Sequence, residues 1–471
     1  MKRGLIALTV SLCLSAAAQA EDLLNVYDSA VVNDPQIREA EANRKAARES
    51  RPQAIARLLP QANGSLARSR SWQDGSGFQT QVQGTTPVPV IQGGTGVSDQ
   101  DQWSLSIRQS VFSWANWATL MQSSHEVAQA ESDYLAQQQS LAQRVASQYF
   151  AVLNAQDNVA AQEAARDAFA RQADQAEKRF EVGLIAITDV QEARAARDRA
   201  AADVISSKRQ LASAQEQLRA TTGGKYAVLN APDDKMPLLT PEPSSEDEWV
   251  KVSMEQNATL TSSRLAADIA RDNVKISFGG HLPTVDLVAG RTYTDIEGVR
   301  TVPPTNVSAP SANTTYGKSL SLQVTVPLFS GGSTQSLVRE SQYRWIAAKE
   351  RLERTSRDTE RQARDAYLGV VSEISRVQAL RQALESSQTA LRATEAGYEV
   401  GTRTAVDVLD ARRQVIANQT AYSQSRYTYL NNLIQLRLAS GDLDRGTIEE
   451  INKWLVVPMQ APPPNPVPAA P

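Results

Sequence analysis

The stretch FEVGLIAITDV at residues 180–190 has a counterpart in YEVGTRTAVDV at residues 398–408. Three further pairs of residues match at nearly the same offset, and they occur in the same order in both halves of the chain: Ala193-Arg194 with Ala411-Arg412, Leu59-Pro60 with Leu282-Pro283, and Phe112-Ser113 with Phe329-Ser330. Fixed-offset self-similarity is the signature of a duplicated structural unit. We therefore predict two repeats, 21–220 and 246–440, followed by a C-terminal segment at 441–471. Residues 221–245 between the repeats are either a linker or an equatorial belt around the helices.

Long helices are predicted on both sides of each repeated stretch. The segment from about 115 to 179 has neither Pro nor Gly and carries an apolar stripe at helical spacing, and about 334 to 396 is its counterpart. Roughly 65 residues at 1.5 Å each make a rod of about 100 Å, which must pack against other helices. Return helices are expected at about 188–220 and 405–438.

The turns between these helices are predicted at Gly183 and Gly401, since glycine adopts positive φ without steric cost. Each repeat would then end in a helical hairpin with its tip at the glycine. Thr188 or Asp189 is the expected N-cap of the first return helix, because both residue types cap helices through a side-chain oxygen.

Alternating segments upstream of the long helices predict β-strands. Apolar and polar side chains alternate at 103–108 and 319–326, with weaker partner segments at 62–66 and 285–289. Strands with one apolar and one polar face suit the wall of a barrel that has lipid on one side and water on the other. A half-buried soluble sheet alternates equally well. Four strands cannot close a barrel around a pore, so the chain is expected to oligomerise, and three copies would supply twelve strands.

The remaining segments complete each repeat. Single helices are predicted from about 22 to 57 and from about 246 to 277, each ending before a Leu-Pro pair. Turn-forming residues predict long loops at about 74–101 and 295–316. Trp103, Trp114 and Trp117 are interpreted either as an aromatic girdle where a strand meets its helix or as local packing.

The two terminal segments and the composition restrict the class of protein. Residues 1–20 have the basic start, apolar run and small-x-small site of a signal peptide, and the Pro-rich tail from about 458 is expected to be disordered. Cleavage would remove the single cysteine, Cys13, leaving no disulfide or Cys-based metal site. His125 and His281 have no metal-ligand spacing. A net charge of −3 argues against nucleic-acid binding. No cofactor and no catalytic constellation is predicted.

Three segments, at 182–190, 281–284 and 401–410, make the chain resemble the TolC family of outer-membrane efflux and export channels. It lacks the anchor cysteine of the lipid-anchored multidrug members. The resemblance implies a mainly α fold with β-strands. A homotrimer would form a twelve-stranded barrel in outer-membrane lipid and a twelve-helix periplasmic tunnel. It also implies a periplasmic adaptor and an inner-membrane RND or ABC transporter as partners, in multidrug efflux or type I secretion, without enzyme activity.

The resemblance further assigns residues at the periplasmic tip. Tyr398 and Arg403 would bond to Thr188 and Asp189 and hold the tunnel mouth shut. Asp407 and Asp410 would form an acidic selectivity ring, and mutual repulsion should make that ring hard to ionise fully. From the residues alone, the alternatives are a solvated loop arginine and an ordinary acidic helix start.

Two other classes of protein remain as alternatives. A periplasmic adaptor would have one hairpin and no barrel strands, and a soluble coiled coil would not need alternating strands after a signal peptide.

Overall fold

The computed structural model describes residues 21–83, 86–226, 228–233, 236–302 and 307–456. The predicted signal peptide and the Pro-rich tail lie outside these residues. The elements follow the order α1 (Leu23–Asn33), α2 (Pro35–Arg48), α3 (Ser50–Ala56), β1 (Gln61–Gln83), β2 (Thr86–Phe112), α4 (Trp114–Glu181), α5 (Ile187–Thr222), β3 (Ala231–Pro232), α6 (Glu246–Gln256), α7 (Ala258–Phe278), β4 (Thr284–Val302), β5 (Val307–Thr325), α8 (Ser333–Glu399), α9 (Ala405–Ser440), α10 (Arg445–Asn452) and β6 (Leu455–Val456).

The predicted long helices are present, and they extend slightly beyond the predicted ends. Helix α4 contains 68 residues and α8 contains 67, each without interruption. Their return helices, α5 and α9, contain 36 residues each. The absence of Pro from all four segments allows this continuity, because an internal Pro would remove a helical hydrogen bond.

The helices before the strands are shorter than predicted. The expected helix over 22–57 is divided into α1, α2 and α3, with a break at Asp34. Asp34 has an extended backbone (ψ 121) because the following Pro35 disfavours the helical conformation at the residue before it. Likewise Asn257, with ψ 121, separates α6 from α7 within the predicted helix over 246–277.

The predicted loops at 74–101 and 295–316 are wrong, because strands occupy most of both segments. Strands β1 and β2 pair from Gln61–Arg108 to Gln83–Thr86, and β4 and β5 pair from Thr284–Thr325 to Val302–Val307. The sequence pattern failed here because a β-ladder is built from backbone hydrogen bonds. Gly, Ser, Thr and Gln can therefore continue it where the apolar alternation stops.

The four long strands form one antiparallel sheet in the order β1-β2-β4-β5, so β1 and β5 are its edges. One face of this sheet is apolar next to the helix-connected strand ends and carries Leu105, Ile107, Leu287, Leu320 and Leu322, all of them exposed. We call it the apolar face. The predicted alternation at 103–108 and 319–326 is confirmed.

The three tryptophans do not form one cluster. Trp103 lies within β2 and stacks on Tyr293 of β4, with ring centroids 6.3 Å apart. Trp114 is the first residue of α4, and its indole N–H donates to the carbonyl of Lys275 at 3.1 Å. Nine strand residues separate Trp103 from the end of β2 at Phe112, so a single girdle of the three residues is wrong.

The chain divides into two compact units. The first contains the described residues up to 44 together with 131–263 and those from 352 onward. Its main core joins α1, α4, α9 and α10 through Leu23, Tyr149, Phe150, Leu430 and Ile448, which are almost fully buried. Towards the hairpin tips the core narrows to alanines, including Ala165, Ala196 and Ala200 around Phe169. Small side chains there let the helix backbones approach closely.

The second unit contains residues 45–130 and 264–351 and includes the four-stranded sheet. In the same unit, the carboxylate of Asp272 on α7 accepts from Lys275 Nζ at 2.7 Å and pairs with Nδ1 of His125 at 2.8 Å. Within the described residues, every helix of either unit is too short or too polar to cross a membrane by itself.

Candidate functional site at the hairpin tips

Both hairpin tips close with the same hydrogen-bonded turn. In the first, the N–H of Leu184 donates to the carbonyl of Arg179 at 2.8 Å, and that of Gly183 to Phe180 at 2.9 Å. In the second, Thr402 donates to Gly397 at 2.8 Å and Gly401 donates to Tyr398 at 3.2 Å. This is the Schellman pattern of helix ends.

The two glycines take the left-handed conformation that this turn requires. Gly183 has φ +76 and Gly401 has φ +81. A side chain at either position would be strained even though the space around it is open. Gly183 and Gly401 therefore lie in the turns between the paired helices, and their place at the periplasmic tip of an assembled tunnel stays a prediction.

The two return helices begin differently. Helix α9 has a capping box: Thr404 Oγ1 accepts from the N–H of Asp407 at 3.2 Å, and Asp407 Oδ2 accepts from the N–H of Thr404 at 2.9 Å. Helix α5 has Ala186 as its N-cap, without a side-chain hydrogen bond. The predicted cap at Thr188 or Asp189 is wrong, because α5 starts at Ile187 and both residues lie in its first turn.

The capping box also sets the charge state of one acidic residue. The backbone N–H of Thr404, followed by its hydroxyl and the nearby positive charge of Arg403, holds the pKa of Asp407 below its usual range. Asp410, on the same side of α9, pairs with Arg413 at 3.0 Å. Within one chain, Asp407 thus has backbone and side-chain partners in the capping box, and Asp410 has an arginine partner. The repulsion expected between acids of several chains stays a prediction.

The single chain does not bring the four predicted gate residues together. Tyr398 lies beneath the guanidinium of Arg179, with Cζ 4.7 Å from the ring centroid. The Arg403 side chain folds back against Gly397. Among the described residues, no hydrogen bond joins Tyr398 or Arg403 to Thr188 or Asp189. The gate assignment stays a prediction about the assembled protein.

One pair of tip contacts was missed by the sequence reasoning. Arg194 of α5 pairs with Glu177 of α4 at 2.7 Å, and Arg412 of α9 pairs with Glu395 of α8. Each ion pair links the two helices of one hairpin close to its tip. We call these two ion pairs the Arg-Glu clips. The signal was available, because Arg194 and Arg412 belong to the repeated Ala-Arg match, and Glu177 and Glu395 keep the same offset.

A cleft of about 480 Å³ lies between α4, α8 and α9 beside Tyr398. Its lining includes the cationic side chains of Arg171, Lys178, Arg179 and Arg412. No group of three or more His, Cys, Asp or Glu side chains that could hold a metal ion occurs in the described part of the chain. The tip chemistry is therefore that of charged and aromatic contacts between helices.

Comparison with solved structures identifies the fold. The chain superimposes on the CmeC outer membrane channel of Campylobacter jejuni with a TM-score of 0.70 and 17% identity, covering 92% of this chain and 89% of that one. For the outer membrane protein VceC of Vibrio cholerae the TM-score is 0.69 at 20% identity, with 89% and 96% covered. The fold is that of outer-membrane channels.

The sequence comparisons then define the family. The outer membrane efflux protein family matches residues 26–224 and 249–442, and the chain belongs to it. It is 34% identical to outer membrane protein TolC of Vibrio cholerae over 94% of this chain and 96% of the relative. It is 33% identical to that of Escherichia coli, with 97% and 90% covered. Identity to the alkaline protease secretion protein AprF of Pseudomonas aeruginosa is 27%, with 93% and 88% covered.

Family membership confirms the resemblance recognised in the sequence, and it places the protein in the outer membrane.

Proposed function

We propose that three copies of the chain assemble into a channel-tunnel that acts as the exit duct of efflux and secretion systems. The observation that carries this proposal is the four-stranded sheet, which has an exposed apolar face and two unpaired edges, β1 and β5. Exposed edges are a liability unless other strands cover them. Pairing β1 of each copy with β5 of the next closes a twelve-stranded barrel in outer-membrane lipid.

In this assembly the two hairpins of each chain contribute four helices to a twelve-helix periplasmic tunnel. The duct performs no chemistry of its own, and energy comes from an inner-membrane RND or ABC transporter that docks with a periplasmic adaptor at the tips. The family, which is named for efflux, and the relative AprF, which is named for protease secretion, support both uses of such a duct.

The tips serve as the gate. Tyr398 and Arg403 hold Thr188 and Asp189 of a neighbouring hairpin, and the acids Asp407 and Asp410 from three chains line the narrowest point. Exposed contacts of this kind contribute little stability each, so a docked partner can open them. The Arg-Glu clips keep each hairpin intact while the hairpins separate from one another.

The test begins with the full chain expressed with its own N-terminal segment. We expect recovery from the outer-membrane fraction as an SDS-resistant trimer, and stepwise conductance after insertion into planar bilayers. A monomer in the soluble periplasmic fraction would contradict the proposal and would favour the adaptor or coiled-coil alternatives. Heating the sample to a single-chain band provides the control for trimer assignment.

A further inference from the structure

The apolar face of the sheet is layered in cross-strand rows. Near the helix-connected strand ends the register aligns Ile107, Ala289 and Leu320. The second row beyond these aligns Leu66, Trp103, Tyr293 and Tyr316, one residue from each strand. We call this second set the aromatic row.

The aromatic row is a continuous contact across three strands. Trp103 and Tyr293 stack at 6.3 Å, and Tyr293 meets Tyr316 at 5.1 Å between centroids. Tyr316 is 71% exposed on the apolar face. Amphipathic rings with this placement mark the level of lipid headgroups.

The distance of the aromatic row from the helix-connected strand ends agrees with a position at the headgroup level. Eight residues of β5 separate Val324 from Tyr316, which is roughly 27 Å along a strand. Tilted by about 40° in a barrel, this distance spans most of an apolar band about 25 Å tall. The aromatic row therefore lies at the membrane boundary that is remote from the helices.

Two cations interrupt the apolar face just inside this boundary. Arg291 of β4 and Lys318 of β5 are direct register partners, one row closer to the helices than the aromatic row, and both are exposed. The Arg291 guanidinium leans over the Trp103 ring, with Cζ 5.7 Å from its centroid. Both stems are long enough to carry their charges to the headgroup level.

These cations have no acidic partner among the described residues. The nearest carboxylates on the same face are engaged elsewhere: Asp101 pairs with Arg68 at 3.4 Å, and Asp295 accepts from the Thr314 hydroxyl at 2.7 Å. Like charges directly opposite each other destabilise a sheet, and bare cations beside hydrocarbon are costly. An anion at the headgroup level would offset both costs.

We propose that Arg291 and Lys318 bind the phosphate group of a membrane lipid in the outward leaflet, beside Trp103. Arginine and lysine both bind phosphate, the first as a planar fork and the second as a point charge. This inference rests on the proposed function, because it needs the barrel in the membrane with the helices on the periplasmic side.

Lipid binding to the purified trimer in neutral detergent tests the proposal, with native mass spectrometry as the readout and diphosphorylated lipid A as the probe. We expect Arg291→Gln with Lys318→Gln to weaken lipid A binding about thirtyfold, as the loss of two basic residues at an anionic surface implies. Arg291→Lys with native Lys318 should retain most of the affinity. Arg300→Gln, on the opposite face of β4, is the matched control and should bind normally.

Four outcomes would count against this inference. Equal affinities of the wild type and the double variant would overturn it, and so would equal weakening by Arg300→Gln. Competition by inorganic phosphate as effective as that by a second phospholipid would assign the site to a free anion instead. Trimer recovery is measured first on each sample, and a wild-type chain that forms no membrane trimer would overturn the proposed function and this inference together.

Discussion

At the scale of single residues, the two hairpin tips use similar sequences for different purposes. Gly183 and Gly401 close the same turn, whereas only the second tip has a capping box, formed by Thr404 and Asp407. Asp407 therefore stabilises the start of α9 besides contributing charge to the proposed ring. An experiment on the ring has to separate these two roles.

The gate hypothesis predicts a change in conductance. Tyr398→Phe combined with Arg403→Ser removes a hydroxyl and a cation from the tip, so the closed mouth should loosen. We expect the single-channel conductance of the purified trimer in planar bilayers to rise severalfold. Arg392→Ser is the control, because this exposed arginine of α8 donates to the Thr389 hydroxyl of its own helix at 3.1 Å. Unchanged conductance in the double variant would refute the gate assignment.

The ring hypothesis predicts a change in ion selectivity. Asp407→Asn with Asp410→Asn removes the charges but keeps an oxygen that can accept from the Thr404 N–H. We expect the reversal potential in a KCl gradient to move towards zero, because acidic rings favour cations. Asp407→Ala should in addition raise hydrogen exchange at the start of α9. A reversal potential that matches the wild type would exclude the ring.

A buried acid in α8 predicts a pH-dependent gain of stability. Glu373 is 5% exposed, and its Oε1 has no hydrogen-bond partner among the described residues. Burial raises the pKa of Glu373, so the folded chain favours the protonated acid. Its charged form therefore costs stability above the raised pKa, and the cost disappears as the pH falls below it.

Glu373→Gln should accordingly raise the melting temperature by a few degrees at neutral pH. The gain should shrink as the pH falls through the raised pKa towards the usual 4.5. Glu385→Gln, at an exposed acid on the same helix, serves as the control and should change little at any pH. A gain from Glu373→Gln that is constant with pH would contradict this account.

At the scale of elements, sequence periodicity is a good guide to the long helices and a poor one to strand length. The helix predicted from about 115 to 179 is α4, Trp114–Glu181. The loops predicted at 74–101 and 295–316 are mostly strand, because Gly, Ser and Thr pair through their backbones without an apolar pattern. A pattern of apolar side chains therefore does not show where such a strand pairing ends.

The candidate site was predictable to a similar extent. The repeated stretch located both turns, and the family resemblance supplied the gate and ring residues. The contact of Arg179 with Tyr398 and the clip of Arg412 with Glu395 were not foreseen. Such contacts depend on the rotation of one helix against another, which the order of residues in a single helix does not determine.

The ion pair at the break between α1 and α2 should contribute much more to the free energy of unfolding than an exposed ion pair formed by α1. Asp34 is 4% exposed, pairs with Arg144 of α4, and accepts from the N–H of Gln36 at 3.0 Å. Asp34→Ala leaves the arginine unpaired in a partly buried place, which should cost about 3 kcal/mol of unfolding free energy. Denaturant unfolding and hydrogen exchange of α1 and α2 would both report the loss.

Asp28→Ala is the matched control for that variant. Asp28 pairs with Arg445 at 2.8 Å, but both side chains are about half exposed, so its removal should change the denaturation midpoint little. Equal effects of the two substitutions would show that burial of Asp34 does not set the strength of its ion pair.

At the scale of the whole molecule, the proposed duct is passive, so the choice of cargo would lie with the partners proposed to dock at its tips. The chain belongs to a family named for efflux and is similar to the alkaline protease secretion protein AprF over 88% of that protein's length. We expect deletion of the gene to make cells more sensitive to drugs and also to abolish export of a type I-secreted protein. Plasmid-borne wild type should restore both phenotypes. A deletion strain with normal drug resistance and normal secretion would contradict the duct.

The open edges of the sheet, β1 and β5, have a genetic consequence. In the proposed trimer each copy covers an edge strand of its neighbour. A subunit that folds but cannot pair along β5 can therefore still occupy a place in the trimer. An allele that encodes such a subunit would act dominantly, since most trimers in a cell expressing both alleles would contain at least one defective copy. Null alleles, which supply no subunit, would by contrast be recessive.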